Sequence, residues 1–282
     1  MLLHPAPAVT DEWILMRGLR FHFRDWSSQR ADAPVLLLLH GFTGHARMWD
    51  TFAHAMSNRF RVIALDQRGH GETQWAPMDA YAPSELAQDI RTLIAALGLT
   101  SFSLVGLSMG GRASMLYAGD RPAELDKLVI VDIGPEMDPV GRARIEQGAK
   151  ANDVFESREK AFEQVLKGNP LADRDQLWHR LYHAMLLRED GKWTYRFDPA
   201  LRDPGRPLPR GNPDVLWHAI QNIQAPTLIV RGEQSDVLTR ECAQRMVREL
   251  PGAKLAEIPH AGHVVPVDQP EAFLQAVSSF LS

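Results

Sequence analysis

The sequence predicts an α/β protein built on a mostly parallel sheet of eight strands, flanked by helices and interrupted once by a mainly helical insertion. Three observations carry this. Continuous apolar runs, Val35–Leu39 and Arg61–Leu65 among them, read as strands buried on both faces, which parallel sheets produce. Between residues 35 and 132 strand-like and helix-like segments alternate regularly, the signature of a sheet covered by helices. That alternation breaks at Gly134-Pro135 and resumes near residue 213.

Taken in order, residues 13–26 alternate loosely, most clearly over Leu19–Arg24, and predict an antiparallel hairpin at one sheet edge. The run Val35–Leu39 ends in His40-Gly41-Phe42-Thr43-Gly44. A helix is expected over about 47–57, with Trp49, Phe52 and Met56 on one face. The strand Arg61–Leu65 ends in the loop Asp66-Gln67-Arg68-Gly69-His70-Gly71. The spacing of Leu86, Ile90, Leu93, Ile94 and Leu97 predicts a helix over 83–97, capped by Ser84 and stopped by Gly98. A short strand then runs straight into a helix with Ser108 at the join, and Lys127–Asp132 is a further strand. His40, Asp66, Ser108 and Asp132 thus fall at the carboxyl ends of strands, on the rim where such sheets hold ligands.

The division expected is a core of residues 1–134 and 213–282, with 135–212 inserted as a helical cap or lid. Its helices are expected near 140–149, 158–167 and 174–187. The stretch Trp193–Phe197 and the Pro/Gly/Arg stretch Asp203–Arg210 follow. Beyond it come a helix near 214–221, a strand 226–230, a helix 239–250, a strand 254–258 and a final amphipathic helix 270–281.

Composition narrows the function. The chain has 282 residues, 45% of them hydrophobic and 23% charged, as in ordinary globular proteins. A net charge of -4 gives no support for nucleic-acid binding. A single cysteine, Cys242, excludes an intrachain disulfide and fits a reducing, cytoplasmic setting. The opening residues lack a basic segment followed by an apolar run, so no secretory signal is expected, and no apolar run approaches a membrane span. The expected partner is a small-molecule substrate, with neither nucleic acid nor membrane; the chain would be a monomer or homodimer. No metal cluster, phosphate loop or dinucleotide fingerprint is present, so no cofactor is expected.

The chemistry is concentrated around Gly106-x-Ser108-x-Gly110-Gly111. A serine on a sharp strand-to-helix turn needs small neighbours, and its hydroxyl is exposed above the sheet beside a helix N-terminus. Serine is a poor nucleophile unless a base, usually His, is oriented beside it by a third group. Strand ends supply candidates: Arg231-Gly232-Glu233-Gln234-Ser235-Asp236 after one strand, Pro259-His260-Ala261-Gly262-His263 after the next. The order Ser108, Asp236, His263 is that of the nucleophile-elbow hydrolases.

These motifs, with His40-Gly41 and Asp66-x-Arg68-Gly69-x-Gly71, resemble the α/β-hydrolase superfamily over nearly the whole chain, and within it small bacterial carboxylesterases. The resemblance implies Ser108 as nucleophile, His263 as base and then acid, and Asp236 as the orienting carboxylate. Asp132 is the alternative acid, because some relatives place it after that strand, and His260 is a rival base. Backbone N–H groups of Phe42 and Met109 would form the oxyanion hole. Candidate substrate contacts are His40, Arg112, Trp178 and Trp193, with Trp217, Met185 and Phe197 as further pocket candidates. His40 is expected to shape the oxyanion loop, Asp66 and Arg68 to form a structural turn, His70 to lie on the rim and Cys242 to be inert.

Serine at position 108 points to cleavage of small, fairly apolar carboxylic esters through an acyl-enzyme. Epoxide hydrolases and haloalkane dehalogenases carry Asp there. The Gly41–Gly44 run with Ser108–Arg112 is also similar to pyruvate-eliminating enzymes of menaquinone synthesis and to carbon–carbon bond hydrolases, which act on acidic substrates held by arginine. Arg112, Arg142, Arg144 and Arg196 are candidates for that. A non-catalytic ligand-binding member of the superfamily is the remaining reading.

Overall fold

The leucines of Val35–Leu39 divide between two layers: Leu37 and Leu39 face one apolar cluster, Leu36 and Leu38 the other. Alternate side chains of a strand point to opposite faces, so a strand apolar throughout must lie between two covered faces. Each fully buried leucine contributes about 2 kcal/mol. The computed structural model describes residues 8–282 apart from 29, 31, 152, 204 and 206. Residues 1–7, which bear on the expected lack of a leader, and Pro204 and Arg206 of the Pro/Gly/Arg stretch lie outside the described residues.

The elements before the insertion are β1 (Val9–Met16), β2 (Leu19–Trp26), β3 (Val35–Leu39), α1 (Asp50–Met56), β4 (Arg61–Leu65), α2 (Pro83–Ala96), β5 (Phe102–Leu107), α3 (Met109–Gly119) and β6 (Leu125–Val131). Then come α4 (Pro139–Ala149), α5 (Arg158–Gly168), α6 (Arg174–Ala184), β7 (Met185–Leu187), β8 (Trp193–Tyr195) and α7 (Pro213–Asn222). The chain ends with β9 (Thr227–Gly232), α8 (Arg240–Glu249), β10 (Lys254–Ile258), α9 (Val265–Asp268) and α10 (Pro270–Leu281).

Eight strands form one sheet in the order β1-β2-β4-β3-β5-β6-β9-β10. The hairpin β1–β2 adds antiparallel at the β4 edge, and all other pairings are parallel. From β3 the chain steps to β4 on one side and later crosses to β5 on the other. Strand order therefore reverses between β3 and β5, the switch point at which open α/β sheets leave a crevice. His40–Gly41 and Ser108 stand at its two lips. Among the described residues, no helix is long and apolar enough to cross a membrane.

Local differences from the sequence reading have physical causes. The expected helix over 47–57 begins as a 3-10 turn, Ala46–Trp49, before α1. Helix α2 starts on Pro83 with Ala82 at its cap position and no side-chain cap from Ser84; proline presets the first helical φ. Residues 185–187, read as helix, instead pair with β8 as a small antiparallel ribbon. The insertion's helices carry strong caps: Asp138, Ser157 and Asp173 each accept a backbone N–H of the first turn.

The Asp66–Gly71 loop is structural, as expected. Asp66 accepts the N–H groups of Ala46 (2.5 Å) and Glu72 (2.9 Å) and pairs with His22 Nδ1 (2.6 Å). A side chain at Gly71, whose φ is +55°, would run into that carboxylate. Arg68 makes a two-pronged contact with Asp89 of α2, both bonds 2.6 Å, with both groups almost fully buried. Removing Asp89 takes this contact from the buried Arg68, leaving it the more distant Glu85 carboxylate at 3.7 Å, and also releases Arg17, which donates to Asp89 at 2.7 Å. Asp89→Ala is therefore expected to cost about 3–5 kcal/mol of unfolding free energy, measured by urea denaturation. A loss below about 1 kcal/mol would place the pair among weak surface bridges.

Candidate active site

Ser108 sits at φ 51°, ψ -109°, between the end of β5 and the first residue of α3. Few non-glycine residues occupy this region, and the strain is held by close packing on both sides. A side chain at Gly106 would meet Gly110 O at 2.6 Å, and one at Gly110 would meet Leu39 O at 2.8 Å. The two glycines thus let the turn press against β3 while presenting the Ser108 hydroxyl above the sheet.

Ser108 Oγ lies 3.0 Å from His263 Nε2, and His263 Nδ1 lies 2.8 Å from Asp132 Oδ2. An ionised carboxylate only accepts, so Nδ1–H donates to Asp132 and Nε2 accepts from the serine hydroxyl. Asp132 is fully buried at φ 48°, just after β6. Its Oδ1 accepts Gly232 N–H (2.9 Å) and its Oδ2 also accepts Ser235 Oγ–H (2.5 Å). His263 follows β10, whose parallel pairing with β9 brings it over the end of β6.

The expected pairing of Asp236 with His263 is therefore corrected. Asp236 belongs to the loop after β9, but its carboxylate turns outward to Arg144 of α4 in a two-pronged contact of 2.6 and 2.7 Å. That hydrogen bond holds its pKa below the ordinary carboxylate value. The physical reason is adjacency. Because β9 lies directly against β6, the loop after β9 folds over Asp132 and donates to it, and Ser235 rather than Asp236 points inward. His260, the rival base, lies on the exposed side of the turn at φ 58°.

Phe42 and Met109 are brought to one small cleft beside Ser108. His40 supports this region from behind. It is fully buried, donates from Nδ1 to Gly41 O (2.8 Å) and accepts Gln67 N–H at Nε2 (3.0 Å). That pattern requires the neutral ring, and burial pushes its pKa down to about 4. His40 is thus a brace and faces no substrate, contrary to its place among candidate contacts. His70 is also buried, stacked on Phe197 and edge-on to Phe42.

A cavity of about 870 Å³ opens over Ser108 and His263, walled by residues of the insertion as well as the sheet loops. Phe197 lines it. Trp178 and Trp193 are not among the lining residues and are corrected as candidate contacts. Trp178 packs edge-on to Phe162, and Arg158 lies 3.8 Å over the Trp193 ring, both within the insertion. Trp217 donates to Glu136, and Met185 is buried in the insertion's own apolar cluster. Arg112 borders the smaller cleft and donates to Arg210 O (2.9 Å). Cys242 is buried in α8.

Two residues escaped the sequence reading. Ser235 carries no motif signal. Arg180 does carry one: it lies among Leu177, Leu181 and Ala184, the buried face of α6, where a cation is out of place. It lines the cavity, and its Nη2 donates to Thr43 Oγ1 (3.1 Å). Its backbone carbonyl accepts His45 Nε2–H (2.8 Å).

A serine hydrogen-bonded to an imidazole that is itself oriented by a buried carboxylate, at strand ends of a parallel sheet, defines the class of nucleophile-elbow α/β proteins. The profile of the alpha/beta hydrolase fold matches residues 34–270, and the chain belongs to that family of hydrolases. It is 31% identical over 258 residues to 3-hydroxybutyrate-oligomer hydrolase of Cupriavidus necator, covering 86% of this chain and 87% of that protein. It is 31% identical over 264 residues to sn-1-specific diacylglycerol lipase of Mus musculus, covering 89% and 82%. The solved structure of E-2-(acetamidomethylene)succinate hydrolase superposes with a TM-score of 0.87 at 25% identity, over 97% of this chain and 99% of that one.

The site predicts a steep loss of stability in acid. Burial lowers the pKa of His40 and His45 to about 4, of His70 to about 3 and of His183 to about 4. A histidine with a depressed folded pKa contributes its full stability above the unfolded value near 6.5. That contribution is lost as pH falls toward the folded value. His22 and His179 are shifted the other way: their carboxylate partners outweigh burial at His22, and the Asp50 hydrogen bond leads at His179. They offset part of the effect. The net expectation is a fall in stability between pH 7 and pH 5, carried mainly by the fully buried His40, His45 and His70, with the half-buried His183 adding less because solvent screens it. Chemical denaturation across that range checks it; flat stability would contradict the neutral, buried assignment.

Proposed function

We propose that this protein is a carboxylic ester hydrolase acting through an acyl-enzyme on Ser108. The observation that carries the reading is the unbroken hydrogen-bond chain from Ser108 through His263 to Asp132. In this mechanism His263 Nε2 takes the hydroxyl proton as Oγ attacks the ester carbonyl. Asp132 keeps the imidazole in the tautomer that can do so and stabilises the imidazolium that forms. The N–H groups of Phe42 and Met109 receive the developing oxyanion; one such donor is worth about 3–4 kcal/mol in the transition state. Collapse expels the alcohol, which takes the proton from His263. Water, deprotonated by His263, then releases the acid and restores the serine.

Residues 135–212 act as the cap. They supply one wall of the cavity, and the Arg144–Asp236 pair ties α4 to the loop after β9. The apolar lining by Leu107, Val165, Leu171, Leu177 and Phe197 suits a small, mainly apolar chain. The similarity to 3-hydroxybutyrate-oligomer hydrolase and to a diacylglycerol lipase is in keeping with an ester substrate.

Two measurements test this. Folded wild-type protein is expected to be labelled by a fluorophosphonate and to hydrolyse short p-nitrophenyl esters, and Ser108→Ala should abolish both, lowering turnover at least about 10³-fold. Labelling without turnover of any ester in the panel would instead favour carbon–carbon cleavage or elimination, and no labelling would favour a ligand-binding role. The acid is tested separately. Asp132→Asn should reduce kcat on the order of 10³- to 10⁴-fold, as expected when the imidazole loses its tautomer. Asp236→Asn should cost less than about tenfold, the scale of a partly exposed ion pair. The reverse ranking would return the acid role to Asp236.

A further inference from the structure

Arg180 is the feature of the cavity that the reaction scheme leaves unused. It lies on the otherwise apolar face of α6 and reaches into the cavity over Ser108. Among the described residues, no carboxylate lies within ion-pair distance of it. Its Nε is closed off from solvent and has no hydrogen-bond partner among the described residues, and Nη2 donates to the neutral Thr43 hydroxyl. The other arginines around the cavity differ. Arg144 is neutralised by Asp236, and Arg112 borders the smaller cleft and is engaged by backbone carbonyls. The carboxylate whose charge reaches Arg180, Asp268, is itself occupied by Asn169 Nδ2 (2.8 Å) and Gly262 N–H (2.9 Å).

Holding a guanidinium without a carboxylate partner at a partly buried cavity wall is costly, and burial pushes its pKa below the ordinary arginine value. The position is nevertheless firmly held. His45, neutral and buried, donates to the Arg180 carbonyl, and α6 is anchored at its start by Asp173 N–H to Val267 O (3.0 Å). Thr43, which takes one guanidinium N–H, directly follows Phe42 in the chain and sits at φ 61°. The cation is therefore fixed beside the oxyanion loop.

We infer that Arg180 is the anchor for a carboxylate carried by the substrate, so that the ester cleaved at Ser108 bears a free acid a few bonds from its carbonyl. A planar guanidinium with unused donors matches a carboxylate in two-pronged geometry, and a substrate anion would supply the missing counter-charge. The apolar walls then hold the short chain joining the two groups. The reacting bond in this statement rests on the ester-hydrolase reading; the anchor does not.

The test compares wild type, Arg180→Met and Arg180→Lys. Two p-nitrophenyl esters are used, the hemiglutarate and the neutral valerate, together with calorimetric binding of glutarate. The ratio of kcat/KM for hemiglutarate over valerate is expected to fall roughly 10- to 100-fold in Arg180→Met, the scale of a charged hydrogen bond. Arg180→Lys should fall part way, and glutarate binding should weaken in parallel. If Arg180→Met does not fold, Arg180→Lys carries the comparison, since it keeps the charge and loses the fork. A ratio that does not move overturns the proposal wherever the esters turn over. If neither ester is cleaved, glutarate decides: binding that depends on Arg180 keeps the anchor while the ester reading falls. Binding that is absent, or equal in wild type and variant, overturns the anchor.

Discussion

The buried carboxylate of Asp132 is the constraint around which the site is assembled. A charge with no solvent access needs several donors, and here they come from three chain segments: Gly232 N–H, Ser235 Oγ–H and His263 Nδ1–H. Satisfying that one group fixes the end of β6, the loop after β9 and the turn after β10 relative to each other. The positive φ of Asp132 turns its side chain out of the strand direction and under the imidazole. His263 in turn is left with only one free nitrogen, and that nitrogen faces Ser108.

The same economy governs the loop after β3. His40 uses both ring nitrogens to hold Gly41 and Gln67, and neutrality is enforced by burial. A brace of this kind lets the Gly41–Phe42 segment stand close to Ser108 without a strand to support it. Asp66 does similar work one loop further on, tying His22, Ala46 and Glu72 together. The strand ends are thus held by buried polar side chains, while the sheet beneath is held by its backbone ladders and by apolar burial.

The insertion meets the core through numerous polar contacts, among them three that position the cavity wall. Arg144 engages Asp236, Asp173 N–H meets Val267, and His45 meets the Arg180 carbonyl. These place the Arg180 side chain, which has no carboxylate partner among the described residues, at the cavity wall. Cavity shape and charge are therefore properties of how the insertion docks: of the aromatic residues expected at the pocket, Phe197 reaches it while Trp178 and Trp193 pack within the insertion itself.

Fold class, strand order along the chain, the serine turn and the histidine after the last strand were all legible in the sequence, because each rests on short-range chemistry. Apolar runs force burial, glycines permit a strained turn, and Gly262 precedes His263 in a short loop. The acid and the pocket contacts were not. Asp132 and Asp236 both end or follow strands, and nothing local distinguishes them. Only the pairing of β6 with β9 decides that one is roofed over and hydrogen-bonded to His263 while the other reaches solvent and Arg144. Arg180 escaped the sequence reading, although a cation on an apolar helix face was a signal for it. That it meets a cavity rather than a carboxylate depends on the docking of α6 over the sheet, a long-range contact that helical periodicity does not encode.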